Sequence, residues 1–165
     1  QLYMKTKAYL AMLLLVITAC GCSKTEEETI FPEAVMVKSF ATVENTPEHS
    51  FVNFALTQDG YRVVQNKEAL QALFPNTDLS TIKEFKDIDF GTQTLIIGRK
   101  GLSEMAQAKC RFSKKNNNSY VLTVNLGLPG LFGPAVLYYG AVVQKVPENA
   151  TVTVEVLPFK VDKDI

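Results

Sequence analysis

The sequence predicts an α+β domain: a mostly antiparallel sheet of six or seven strands with one main helix packed on it. Three observations carry this. Several stretches alternate apolar and polar residues with period two, most plainly Thr151, Thr153 and Glu155 against Val152, Val154 and Val156. One segment alone, residues 67–74, combines helical spacing with helix start and stop signals. Clusters of Asn, Gly, Pro and Asp punctuate the chain at short intervals, and no repeat of 20–50 residues points to a solenoid or propeller.

Taken in order, residues 34–40 are apolar enough for a first strand, and Thr46-Pro47-Glu48 marks a turn. Residues 51–56 form a second candidate strand, and Gln58-Asp59-Gly60 turns the chain into a strand over 61–64. The helix follows. Asn66 is a favourable N-cap, Glu68 complements the positive end of the helix dipole, Leu70, Leu73 and Phe74 share a face, and Pro75-Asn76 stops the run. Across residues 76–92, Leu79, Ile82, Phe85, Ile88 and Phe90 recur nearly every three positions, which predicts short helical turns with one anchored apolar side.

Residues 94–98 are continuously apolar up to Gly98, the pattern of a central strand covered on both faces. Two alternating stretches, 104–114 and 119–126, flank Lys114-Lys115-Asn116-Asn117-Asn118 and predict a hairpin, with asparagine supplying any positive φ in its turn. In the first arm Ala106, Ala108, Cys110 and Phe112 fall on one face, so Cys110 is expected to be a buried small hydrophobe rather than a redox or catalytic thiol. Residues 127–134 read as an irregular, unusually apolar loop. Strands over 135–146 and 151–157, joined at Pro147-Glu148-Asn149, complete the chain.

Ahead of this domain the composition changes. Lys5 and Lys7 precede a short apolar run over residues 9–19, the layout of a secretory signal and too short for a spanning helix. Met4 is the one plausible start, which makes Gln1-Leu2-Tyr3 upstream sequence. Ile17-Thr18-Ala19-Cys20 resembles the lipobox of bacterial lipoproteins, and that resemblance implies lipidation at Cys20, with Cys22 as the alternative in the poorer frame Ala19-Cys20-Gly21-Cys22. The acidic stretch around Glu26-Glu27-Glu28 resembles the tether of Bacteroidetes lipoproteins, either a surface-export signal or a solvated spacer. The expected organisation is therefore a signal peptide over 1–19, a flexible acidic tether over 20–30 and a single domain over 31–165, held at the cell envelope, at the outer membrane, by a lipid anchor.

Removing residues 1–19 takes Lys5 and Lys7 away, so 17 basic and 17 acidic residues become 15 and 17, a charge of about −2. Neither sign dominates, and no basic patch is interleaved with aromatics, which argues against nucleic acid as a partner. Of three cysteines, Cys110 alone lies within the domain, so no disulfide framework forms there.

No enzyme signature emerges. His49 is the single histidine, without a Gly-x-Ser-x-Gly elbow or a metal-ligand neighbour, and no phosphate loop is present. Asp87 and Asp89 are the one close carboxylate pair on an apolar-framed segment; solvent-facing acids between Ile88 and Phe90 explain them better than a calcium or glycosidase site. No cofactor or metal is expected. Contact candidates lie in the apolar loop and just beyond it: Leu128, Leu131 and Phe132, with Tyr138 and Tyr139, one of which a strand should leave exposed.

The order from Tyr61 is also suggestive: strand, helix, Ile88-Asp89-Phe90-Gly91, then Thr94-Leu95-Ile96-Ile97-Gly98, a hairpin and two terminal strands. It is similar to the C-terminal domain of protease-complex accessory proteins of the PrcB type, over residues 60–159. Gly101-Leu102-Ser103-Glu104-Met105 stands where that family has a Gly-Gly-Tyr segment. The resemblance implies a non-enzymatic module that binds an envelope protein. The alternative is a glycan or small-molecule module, for which Tyr61, Tyr120, Tyr138 and Tyr139 would supply an aromatic platform in a chain without tryptophan.

Overall fold

Among the described residues, five strands form one connected hydrogen-bonded network with one α-helix packed on it. The computed structural model describes residues 34–44, 51 and 53–158, and for Glu44, Met105 and residues 128–132 it describes the backbone alone. All belong to one compact unit, Phe31–Ile165. The elements are β1 (Met36–Glu44), β2 (Gly60–Val64), α1 (Lys67–Leu73), two 3-10 turns (Leu79–Thr81 and Lys83–Phe85), β3 (Gln93–Asn116), β4 (Ser119–Gln144) and β5 (Thr151–Leu157). The strand order is β1-β4-β3-β2, with β5 parallel to the first part of β4 and all other pairs antiparallel.

The long arms β3 and β4 dominate the architecture. Their register slips near Leu102/Glu104 and again between Met105 and Ala108, and such irregularities bend a ladder sharply. Counted as segments on either side of that bend, the five strands become seven in two mostly antiparallel sheets, as the α+β reading expects. The proximal sheet holds β1, β2, the start of β3 and the end of β4. The distal sheet holds the end of β3, the start of β4 and β5.

Side-chain alternation along the proximal sheet feeds two cores. Leu95, Ile97, Tyr138 and Val142 point to the side covered by α1 and the 3-10 turns, where they meet Val64, Leu70, Phe74, Leu79, Ile82 and Phe85. Ile96, Leu137, Tyr139, Ala141 and Val143 point the other way, against Phe112, Leu122 and Val124 of the distal hairpin and Val152 of β5. The hairpin therefore folds back over the sheet from which it grows. Two bonds help hold the return: Tyr61 Oη donates to the Val152 carbonyl (2.9 Å), and the Thr151 amide donates to the Asn118 carbonyl at the hairpin tip (2.8 Å).

Four expectations need correction. Residues 51–56 are not a strand: Phe51 and Phe54 form a turn closed by Phe54 N–H to Phe51 C=O, Asn53 has φ 69°, and the Ala55 amide donates to Leu73 C=O. A strand would send Phe51 and Phe54 to opposite faces, whereas both rings enter the same core, 6.3 Å apart. Residues 94–98 and 104–114 are not separate strands but parts of β3. Residues 127–134 are not an inter-strand loop, since the β4 backbone runs through them with Ala106 opposite Pro129, Met105 opposite Leu131 and Glu104 opposite Phe132. The hairpin turn also needs no left-handed asparagine; Asn116 Oδ1 accepts the Asn118 amide instead, and the positive-φ non-glycine residues described are Asn53, Asn76 and Asp87.

Candidate functional site

The segment between β2 and β3 builds a shaped surface beside the helix. Asn66 starts α1 from an extended conformation, and its side-chain oxygen accepts the Ala69 amide at 2.7 Å. The helix ends after Leu73. Gln71 then gathers the following turn by donating to the carbonyls of Phe74 and Thr77, both at 3.0 Å. Asp78 caps the first 3-10 turn through the Ser80 amide (2.9 Å), and the near-threefold spacing read in the sequence buries Leu79, Ile82 and Phe85.

Asp89 closes the segment. One carboxylate oxygen accepts the Gly91 amide (2.9 Å) and the other accepts the Thr92 hydroxyl (2.8 Å), which makes the Asp-Phe step a turn element that aims the chain into β3. Lys145 pins the arrangement from below, its ammonium donating to the carbonyls of Gln65 (3.0 Å) and Phe90 (2.7 Å). Edge strand β1 is tied to the same region by Lys38, whose ammonium donates to Lys86 C=O at 2.6 Å.

Between α1 and the 3-10 turns lies an open cleft of about 420 Å³. Its floor is apolar: Leu70, Leu79, Phe85, Ile88 and Phe90. Lys67, Gln71, Asp78, Ser80, Lys86 and Asp87 form the rim. The size falls within the range of small-ligand sites, which join an apolar lining to a few oriented polar groups. Sequence reasoning missed this cleft. Its signal was the threefold apolar spacing of residues 79–90, which requires the chain to coil beside the helix instead of lying flat on the sheet.

The tyrosines singled out in the sequence are not brought together on one surface. Tyr138 and Tyr139 are both buried, 7% and 2% exposed, one in each core, so neither offers the exposed ring expected of one of them. The reason is that both faces of the proximal sheet are covered. Tyr61 and Tyr120 are half-buried against the second core, Tyr120 stacking on Phe112, so the four tyrosines make no aromatic platform. Leu128, Leu131 and Phe132 lie on the β4 backbone described above, while Cys20, Cys22 and His49 lie outside the described residues. Cys110 is half-buried against the second core, and burial pushes its thiol up to about 11. Asp87 and Asp89 are both exposed.

Among the described residues no three His, Cys, Asp or Glu side chains gather as a metal site, and no helix is long and apolar enough to cross a membrane. Three carboxyls sit below their usual range because donors favour the charged form. Asp59 accepts from Lys100 Nζ (2.8 Å) and the Gly101 amide, Asp78 from the Ser80 side chain and amide with Lys67 nearby, and Asp89 from Thr92 and Gly91. Burial of the phenol pushes Tyr139 up to about 12.

These directions set a pH profile. Depressed carboxyls stabilise the fold above the unfolded aspartate value of roughly 3.9 and lose that contribution as pH falls through their folded values. Raised Cys110 and Tyr139 groups stabilise below their unfolded values and lose it as pH climbs through about 11 and about 12. The urea midpoint should therefore be flat near neutrality, drop below about pH 4 and drop again above about pH 9. Asp59→Asn should flatten the acid limb; an unchanged limb would disprove the assignment.

Comparison of the chain with protein-family models, curated proteins and solved structures returned no match.

Proposed function

We propose that this chain is a lipid-anchored module of the bacterial cell envelope that binds a protein partner without catalysing a reaction, and that the partner adds a strand along the open edge of β1. The observation that carries the reading is β1 itself. Among the described residues it pairs with β4 on one side only, while Val35 and Val37 are 57% and 53% exposed. Exposed edges are ordinarily blunted by charge, above all by lysine. Here Lys38 is drawn onto the Lys86 carbonyl, and Val37, Ser39 and Ala41 keep the strand short-chained and mostly uncharged. Such an edge suits β-augmentation, in which main-chain bonds supply affinity and alternate side chains supply selectivity. The lipobox-like Cys20, with Cys22 as alternative, and the acidic tether support the envelope location.

The test is site-specific photocrosslinking in cells from position 37 of the full lipidated chain, repeated in a Val35→Lys background and from a control position, Asn149. Capture of one envelope protein from position 37, absent from position 149 and reduced at least about tenfold by the edge lysine, is the expected result. Equal capture from both positions, or capture indifferent to Val35→Lys, would overturn the edge assignment.

A second reading, a small-molecule module, is favoured by the cleft beside α1. It no longer depends on the tyrosines.

A further inference from the structure

We propose that the cleft between α1 and the 3-10 turns binds a small zwitterion with an apolar body, the chemistry of a hydrophobic amino acid or a short peptide of such residues. This deepens the small-molecule reading and rests on it. Gln71 already spends its amide donors on the carbonyls of Phe74 and Thr77. Asp78 is held by the side chain and amide of Ser80, and Lys67 lies in its field.

Three rim charges then have no hydrogen bond or ion pair to any described residue, the ammoniums of Lys67 and Lys86 and the carboxylate of Asp87; Lys67 acts on Asp78 through its field, which leaves Lys86 and Asp87. They are neighbours in sequence, yet they form no ion pair with each other. Their backbone is fixed from outside. The Lys86 carbonyl is clamped by Lys38, and Asp87 stands at φ 63°, a left-handed conformation that aspartate tolerates better than most residues. One unspent cation and one unspent anion above the apolar floor match a ligand carrying both charges: its carboxylate against Lys86, its ammonium against Asp87, its side chain over Phe85 and Phe90.

Calorimetry on the full chain tests this with L-phenylalanine, L-leucine and the dipeptide Leu-Leu, and with N-acetyl-L-phenylalanine amide, which keeps the apolar body and lacks both charges. Saturable binding of a zwitterion, at least about tenfold weaker for the capped compound and for each of Lys86→Gln and Asp87→Asn, is the expected result. Free amino acid against dipeptide distinguishes the source of the shared chemistry. Equal binding of capped and zwitterionic compounds would overturn the charge assignment and leave an apolar small-molecule site standing. No saturable binding of any compound up to about 10 mM would remove the assignment together with the small-molecule reading. Both variants should retain the parent urea midpoint, because neither side chain has a described partner to lose.

Discussion

Phe74→Ala should lower the free energy of unfolding by about 3–5 kcal/mol, a large share of the roughly 5–15 kcal/mol available to a domain. Phe74 is fully buried where α1 ends and belongs to an aromatic cluster. It stacks on Phe54 at 5.0 Å and 17°, and meets Phe85 edge-on at 5.1 Å and Phe51 at 5.8 Å. Removing the ring takes away its transfer energy and leaves a cavity lined by Phe51 and Phe54 of one turn and Phe85 of another, which limits collapse. Urea denaturation checks the value, with Phe74→Leu as the milder comparison. A loss below about 1 kcal/mol for alanine would mean that the cluster is not packed as described.

Gly98→Ala should be comparably damaging, at about 3 kcal/mol, near the upper end of typical overpacking costs. Gly98 lies directly opposite Tyr139 in the β3–β4 ladder, and a Cβ there would run into the outer atoms of the Tyr139 ring. Ordinarily the far end of a tyrosine could swing away. This one is 2% exposed and enclosed by the second core, so the ring has nowhere to go without displacing other residues. A double-mutant cycle isolates the cause: in a Tyr139→Ala background the penalty of Gly98→Ala should nearly vanish. Persistence of the full penalty there would place the cost in the backbone instead. Gly140 faces Phe40 across β4 and β1 in the same manner.

The sequence made the local elements legible and left their union obscure. Asn66, Leu70 and Pro75 announced the helix because caps and stops act over a few residues. The alternation of Thr151–Leu157 announced β5 for the same reason. Its parallel pairing with β4 was not readable, since register with Ser119 depends on a hairpin folding back through a bend. Residues 127–134 were misread because Gly and Pro, usual marks of a loop, here interrupt the ladder without ending the strand. Both Tyr138 and Tyr139 are buried because the sheet has two covered faces, a tertiary fact that alternation cannot supply. The expected exposure of one of these two tyrosines failed on that point, and the cleft was missed because it is formed by side chains distant in the 67–90 segment.

The pairing of β1 with the end of β4 has a consequence for the order of events during synthesis. Met36 meets Val143, so the first strand leaves the ribosome roughly 100 residues before its neighbour exists, an interval of about 5–20 s at ordinary elongation rates. β3 also completes its pairing only when β4 arrives, so the proximal sheet cannot close before Gln144 has been added. The unpaired first strand therefore needs protection until the end of β4 has been made.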